Sequence, residues 1–278
     1  MDKQEKNIIC SVSPENQNSL LAASKKVLTN SIAIIAFLVL WELTARLELV
    51  STPTFFPPFS KIVIALLEQA ISGNLLINIL ISLRRSLIGF VCGLLIAIPL
   101  GLAIGRFRLF GDILNPLLQL FRNLPTLALL PVFVMFFGIG ELSKVVVITW
   151  GVLWYTLLNT ISGVRSVDPQ LIKAAESMGT RPLKLFGSVV LPASMPFIFT
   201  GVRISATVSI LILIAAEMMG ANSGLGYAMF FYQANFKIPE MYAYIVIMAL
   251  IGTILNFVLE AVEKRSFRWR DESGRPAK

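Results

Sequence analysis

Four charged side chains interrupt long apolar stretches of this sequence: Glu42, Arg122, Arg203 and Glu217. A charge in hydrocarbon is costly unless it faces protein or water, so intramembrane charges usually have a function. Arginines along a membrane path would attract a small anion, and a carboxylate near one end would act as a gate or an inter-helix lock. We therefore take Arg122, Pro125, Arg203 and Glu217 as candidates for a translocation path.

Pairing between helices is the alternative role for these charges. Arg203 and Glu217 lie on the same predicted helix, about 21 Å apart at the rise of an α-helix, so they cannot pair with each other. Each needs a partner from another helix, another subunit, water or substrate.

The stretch 121–140 contains Pro125 and Pro131, which remove backbone donors in mid-span. Broken backbone at membrane depth is tolerated where it is buried in protein or lines a cavity. This pattern favours a helix that faces a pathway, and a kinked structural helix is the alternative.

The sequence lacks the residues of common catalytic sites. It has no histidine, which removes the commonest metal ligand and acid–base group. It also has no phosphate-binding loop, no G-x-S-x-G and no H-E-x-x-H. A membrane-embedded enzyme would need paired acid–base groups at one depth, and we find none. We expect a protein that is not an enzyme and holds no metal or cofactor.

The composition predicts a helical membrane protein. Of the 278 residues, 56% are hydrophobic and only 14% are charged, against about 25% charged residues in soluble domains. Apolar runs of about 20 residues, the length of a membrane-spanning helix, recur along the chain. We predict an all-α polytopic fold with an N-terminal tail (1–26), a transmembrane domain (27–262) and a basic C-terminal tail (263–278). The six predicted spans are 27–47, 86–105, 112–137, 142–164, 193–218 and 239–262.

The distribution of Lys and Arg predicts the orientation. With the N-terminus inside the cell, sixteen Lys and Arg fall in inner segments and six in outer ones. The six outer residues are Arg46, Lys61, Arg84, Arg85, Lys144 and Lys237. The positive-inside rule then places both termini in the cytoplasm. The same bias accounts for the net charge of +8 without nucleic acid as a partner.

Small residues recur four apart on the second span, as Gly89 and Gly93 and again as Gly101 and Gly105. This spacing lets two membrane helices approach closely, so we predict packing within the chain.

A polar segment separates the fourth and fifth spans and forms a predicted cytoplasmic loop (165–192). Asp168 and Pro169 are typical of a helix start, and Gly179 of a helix end. Ala174, Ala175 and Met178 are predicted to share one small face, suited to close contact with another protein.

The spacing in this segment resembles the cytoplasmic signature of ABC importer permeases. That signature is Glu-Ala-Ala, three residues, Gly, nine residues and Ile-x-Leu-Pro. Here Ala174-Ala175, Gly179 and Leu191-Pro192 match, whereas Lys173 replaces Glu and Val189 replaces Ile. Other stretches, such as 82–90, 136–144, 199–205 and 215–220, are similar to the nitrate, sulfonate and bicarbonate branch, which also takes taurine.

The resemblance implies a type I ABC importer permease fold in the bacterial inner membrane. It implies a homodimer of permeases, two cytoplasmic ATPase subunits that bind ATP and Mg²⁺, and an extracytoplasmic solute-binding protein. The cytoplasmic helix would couple the permease to the ATPase. The residues assigned to this coupling are Lys173, Ala174, Ala175, Met178, Gly179, Leu191 and Pro192.

An aliphatic sulfonate or a taurine-like compound is the predicted substrate. Nitrate, bicarbonate and pyrimidine precursors, carried by the same branch, are alternatives. A stand-alone channel or secondary transporter is the alternative from another class.

Overall fold

The computed structural model describes residues 32–49 and 53–266, and these residues form helices joined by short turns. We number the helices α1 to α11 in chain order, and α1 is described from residue 32 to residue 46. The others are α2 (Phe59–Ile71), α3 (Asn74–Arg106), α4 (Arg108–Arg122), α5 (Leu130–Phe137), α6 (Glu141–Arg165), α7 (Pro169–Ser177), α8 (Pro182–Leu185), α9 (Leu191–Met218), α10 (Leu225–Ala234) and α11 (Ile238–Ser266).

The chain divides into two units, the first ending at Ile64 and the second starting at Ala65. In the first unit, the indole Nε1 of Trp41 donates a hydrogen bond to the carbonyl of Pro57 at 3.0 Å. The Glu42 carboxylate accepts from the backbone N–H of Ser60 at 3.0 Å and from its hydroxyl at 2.9 Å. Glu42 therefore satisfies donors in the first turn of α2, where helix N–H groups lack intrahelical partners.

Among the described residues, four continuous helical stretches are long and apolar enough to cross a membrane: α3, α6, the stretch Pro182–Met218 and α11. A fifth candidate is the pair formed by α4 and α5, which is bent by 82°. The first predicted span, 27–47, begins outside the described residues.

The break predicted in the third span, 112–137, is confirmed. The chain leaves α4 after Arg122, passes Pro125 and a short 3₁₀ turn over Thr126–Leu129, and then enters α5. Pro125 cannot donate a backbone hydrogen bond, and it disfavours helical geometry at the preceding residue.

Other predicted boundaries shift at their ends. The second span begins at Asn74, well before residue 86, because Ser82 and Arg85 are buried in protein instead of lying in an outer loop. The fourth and sixth spans match α6 and α11 within a few residues. Between α9 and α11 the chain forms the short helix α10.

The glycine pairs of α3 pack against α6. A Cβ atom built on Gly89, Gly93, Gly101 or Gly105 would lie 2.6–2.7 Å from side-chain atoms of α6. The facing residues are Ile148, Val152, Thr160 and Val164. Their offset in sequence from the facing glycines is constant, so the two helices run parallel and in register. The predicted packing within the chain is confirmed.

α9 packs against an adjacent face of α6 and runs antiparallel to it, and it also contacts α3 through Ser86 and Ser209. Gly201 of α9 faces Asn159, whereas Gly151 of α6 faces Ile212 further along α9. As a result, the starts of α3 and α6 meet the end of α9 at one end of the bundle. α7 lies at the opposite end, between the end of α6 and the start of the stretch that becomes α9.

The glycine contacts predict different responses to one extra methyl group. Gly101→Ala places its Cβ against Thr160, whereas Gly252 in α11 has no atom within 4 Å of a built Cβ. We expect Gly101→Ala to lower the free energy of unfolding by about 1–3 kcal/mol, because overpacking forces the helices apart. Gly252→Ala, the matched control, should be neutral or stabilising by up to about 1 kcal/mol.

Thermal unfolding of the purified chain in detergent measures both effects. Equal midpoints for the two variants would contradict the close approach of α3 and α6.

Candidate functional site

A cluster of charged and polar side chains around a buried ion pair forms where the starts of α3 and α6 meet the end of α9. Its members are Ser82, Arg85, Glu141, Glu217 and Ser223, and we call it the charge cluster. Arg85 lies on α3, Glu141 opens α6 and Glu217 lies in the last turn of α9. The side chain of Arg85 is only 3% exposed and that of Glu217 is fully buried.

Every N–H group of the Arg85 guanidinium has an acceptor. Nη1 donates to Glu217 Oε1 at 2.8 Å and to the carbonyl of Ser223 at 2.6 Å. Nε donates to Glu141 Oε2 at 2.7 Å, and Nη2 donates to the other oxygen of Glu141 and to the Ser223 hydroxyl at 3.1 Å. A guanidinium has five such donors, so burial leaves none unsatisfied.

The Glu217 carboxylate is held by donors from three directions. Besides Arg85, the Ser82 hydroxyl lies 2.8 and 2.9 Å from its two oxygens. The backbone N–H of Gly226 donates to Oε2 at 2.9 Å. Gly226 lies in the first turn of α10, where free N–H groups and the helix dipole favour a negative charge.

The turn before α10 is closed by the same groups. Ser82 Oγ accepts from the N–H of Leu225 at 2.8 Å, and the Asn78 side chain accepts from the N–H of Gly224 at 2.8 Å. Gly224 has φ = 112° and lies directly against the Glu217 carboxylate, where a Cβ atom has no room. The charge cluster therefore joins α3, α6, α9 and α10 through polar contacts.

The sequence prediction missed Arg85 and Lys144, which it placed among the outer-loop charges. Arg85 is buried inside α3, and Lys144 is 4% exposed in the first turn of α6, where its Nζ donates to the carbonyl of Gly140 at 2.8 Å. A hydropathy profile ends a predicted span at a charged residue. A charge that is paired inside the protein does not contact lipid, so the helix can continue through it. The spacing of Ser82, Ser86 and Gly89 on the same face of α3 was the available signal.

The four residues predicted to line a path do not come together. Glu217 belongs to the charge cluster. Arg203 lies near the middle of α9, where it donates to Glu263 at 2.8 Å and to Asn256 at 3.1 Å on α11. Arg122 is exposed at the end of α4, three residues before Pro125 at the break.

The opposite end of the bundle carries α7, whose two predicted ends are confirmed. The Asp168 side chain accepts from the N–H of Gln170 at 2.8 Å, so it caps the helix ahead of Pro169. Gly179 has φ = 72° directly after the last turn, and its N–H donates to the carbonyl of Glu176 at 2.9 Å. A left-handed residue at this position ends a helix with little strain when it is glycine.

The single face predicted for Ala174, Ala175 and Met178 is wrong for Ala175. Ala175 is buried among Val164, Val167, Leu185 and Val190, whereas Lys173 and Ala174 are exposed and Met178 is 78% exposed. Neighbouring residues on a helix point about 100° apart, so Ala175 turns toward the chain while Ala174 turns away.

Leu191 and Pro192 lie within a continuous helical stretch, Pro182–Met218. A π turn over Phe186–Val190 precedes them, and the N–H of Leu191 bonds to the carbonyl of Phe186. This wider turn accommodates Pro192, which has no N–H to give to a regular helix.

Removing Arg85 tests the charge cluster. Arg85→Met leaves the Glu217 carboxylate buried without its cation, so we expect a loss of about 3–5 kcal/mol in unfolding free energy. Arg84→Met is the matched control, because Arg84 is exposed and reaches Glu141 only at 3.5 Å; its loss should stay below about 1 kcal/mol.

The double variant Arg85→Met/Glu217→Met should recover part of the loss, since it removes both charges together. Thermal unfolding in detergent measures all three variants. If Arg85→Met unfolds at a temperature no lower than that of Arg84→Met, the buried ion pair contributes little to stability.

Known proteins with this sequence pattern are membrane transport components. Residues 89–268 match the family described as the binding-protein-dependent transport system inner membrane component. A putative ABC transporter permease of Methanocaldococcus jannaschii is 35% identical over 84% of this chain and 88% of its own length. The taurine transport system permease protein of Escherichia coli is 32% identical over 90% of this chain and 92% of its own length. The nitrate import permease protein of Synechocystis is 27% identical over 86% of this chain and 89% of its own length.

The fold is similar to that of a solved transporter. The MetNI methionine ABC transporter in an inward-facing conformation superposes with a TM-score of 0.61, covering 69% of this chain and 95% of the matched one at 19% identity. The chain belongs to the family of inner membrane components of binding-protein-dependent ABC transport systems.

Proposed function

We propose that the chain is the permease subunit of an ATP-driven importer and that α7 couples it to a separate ATPase. The observation that carries this proposal is the geometry of α7. It is a short helix with defined ends, anchored by the buried Ala175, and it presents Ala174 and Met178 to solvent. An element of this kind transmits force because it is exposed on one side and fixed on the other to α6 and to the helical stretch that leads into α9.

The assembly we propose contains two copies of this chain, two cytoplasmic ATPase subunits and an extracytoplasmic solute-binding protein. ATP and Mg²⁺ bind to the ATPase subunits, and this chain contributes no catalytic group. The excess of Lys and Arg at the α7 end supports a cytoplasmic location for that end and for both termini. The charge cluster then lies toward the outer face, where it locks α3, α6, α9 and α10 together.

A small anion is the proposed substrate, most consistent with an aliphatic sulfonate or a taurine-like compound. The support comes from relatives named for aliphatic sulfonates and taurine, which are 31–32% identical to this chain. Nitrate is the second candidate because a nitrate import permease is 27% identical.

We propose Arg122 as the cation that faces the anion. It is exposed beside the break at Pro125, and within the described part of the chain it forms no ion pair. Arg203 is less suited to this role because Glu263 lies 2.8 Å from its guanidinium and Glu260 lies 3.9 Å away. It instead anchors α11 to α9.

Two adjacent alanines test the coupling role of α7. Ala174→Arg changes the exposed face, so we expect normal amounts of protein in the membrane but loss of uptake and of ATPase copurification. Ala175→Arg buries a charge in the contact with Val164 and Leu185, so we expect a low amount of folded protein. Immunoblotting of membranes, copurification and uptake of labelled taurine separate the two outcomes.

Full uptake with Ala174→Arg would contradict the coupling role. Uptake that persists without any ATPase subunit would favour a channel or secondary transporter instead.

The matched substitutions Arg122→Gln and Arg203→Gln test the path. We expect Arg122→Gln to lower the uptake rate for taurine about tenfold, the effect of losing one charge-assisted contact. Arg203→Gln should lower thermal stability and leave the uptake rate per folded molecule close to that of the wild type. The reverse pattern would assign the path to Arg203.

A further inference from the structure

Two adjoining cavities open at the α7 end of the bundle, and Arg106 lines both. The first is an apolar groove of about 410 Å³ between the last turn of α3 and α8. Leu102, Phe107, Leu183 and Phe186 form its walls. Leu183 is 89% exposed, so one side of the groove is open. The groove lies at the end of a spanning helix, the level at which the acyl chains of a bilayer meet its headgroups.

The second cavity, of about 590 Å³, is charged with both signs. It is lined by Arg106 and Arg165, which end α3 and α6, and by Asp112 of α4 and Glu176 of α7. Within residues 32–49 and 53–266, none of these four side chains forms an ion pair. Two cations and two carboxylates thus surround one space without neutralising each other directly.

The two cavities together match an amphiphile with a zwitterionic headgroup. Guanidinium groups bind a phosphate through paired N–H donors, and carboxylates accept hydrogen bonds from a primary ammonium. A purely anionic headgroup would leave Asp112 and Glu176 facing its negative charge. A quaternary ammonium has no N–H to donate to them.

We propose that this pair of cavities binds one phosphatidylethanolamine-type phospholipid. An acyl chain lies in the apolar groove, the phosphate meets Arg106 and Arg165, and the ammonium meets Asp112 and Glu176. Basic residues also flank the groove, since Arg181 precedes α8 and Lys184 lies within α8. Basic pockets between membrane helices are common sites for lipid headgroups.

The bound lipid would brace α7. Ile172 and Glu176 of α7 form one wall of the charged cavity, and Arg106 of α3 and Arg165 of α6 form others. A headgroup that bridges these walls fixes α7 against the two parallel helices, so the lipid composition of the membrane would tune the position of this helix.

Native mass spectrometry of the full-length chain tests this site without any partner subunit. The purified protein in detergent receives equal amounts of phosphatidylethanolamine, phosphatidylglycerol and phosphatidylcholine, all with palmitoyl-oleoyl chains. We expect the wild type to retain one phosphatidylethanolamine in preference to the others. Arg106→Gln should lower that retention about tenfold, the effect of one charge-assisted hydrogen bond.

Asp112→Asn/Glu176→Gln is the second arm, and it predicts a different pattern. These changes remove the two negative charges that attract the ammonium but keep both arginines, so the preference should shift from phosphatidylethanolamine toward phosphatidylglycerol. Lys237→Gln, an exposed cation ahead of α11 at the other end of the bundle, is the control and should retain lipid as the wild type does.

Several results would overturn the proposal. Equal retention by the wild type and every variant would identify ordinary surrounding lipid, and a preference of the wild type for phosphatidylglycerol would exclude the zwitterionic match. If Arg106→Gln does not fold, an unchanged preference in the acidic double variant still refutes the site. Loss of ATPase copurification in Arg106→Gln, with no lipid retained by the wild type, would assign the cavities to the partner protein. Because lipid retention requires no transport, its failure leaves the proposed function untouched.

Discussion

The buried ion pair between Arg85 and Glu217 is the interaction on which the rest of the structure depends. Its two charges lie on helices that are far apart in sequence, at a depth where neither is reached by solvent. In such surroundings a lone charge is very unfavourable, so the fold must bring the two together and satisfy their remaining hydrogen-bonding groups. The starts of α3 and α6, the end of α9 and the turn before α10 are arranged to do this.

The glycine contacts make this arrangement possible. The four glycines of α3 bring its backbone close to α6, and the constant register between the two helices aligns Arg85 with the start of α6, where Glu141 completes the guanidinium's set of acceptors. α9 packs against both of these helices. A shift of one helical turn between α3 and α6 would separate Arg85 from Glu141 and leave its Nε and Nη2 groups without their carboxylate acceptor. Packing of small residues and pairing of charges thus specify the same register.

The two ends of the bundle differ in what holds them. At the charge cluster, polar contacts bind four helices together. At the α7 end, an apolar cluster holds Ala175 and Leu185, while charges that form no ion pair with any described residue line the neighbouring cavity. The first end is therefore built to stay closed unless several hydrogen bonds break together, whereas the second exposes a small helix and open cavities to other molecules. This asymmetry is what a subunit needs if it receives force at one end and resists opening at the other.

The sequence by itself determined the helical membrane class, the break near Pro125, the glycine packing face and both ends of α7, because each follows from local backbone chemistry or helical spacing. Only the tertiary structure decided which charges are buried: Arg85 and Lys144 read as outer-loop residues, although they lie inside the protein. It also turned Ala175 inward and paired Arg203 with α11. The physical reason is that burial and ion pairing depend on which helices become neighbours, and residues such as Arg85 and Glu217 meet only after three helices have packed.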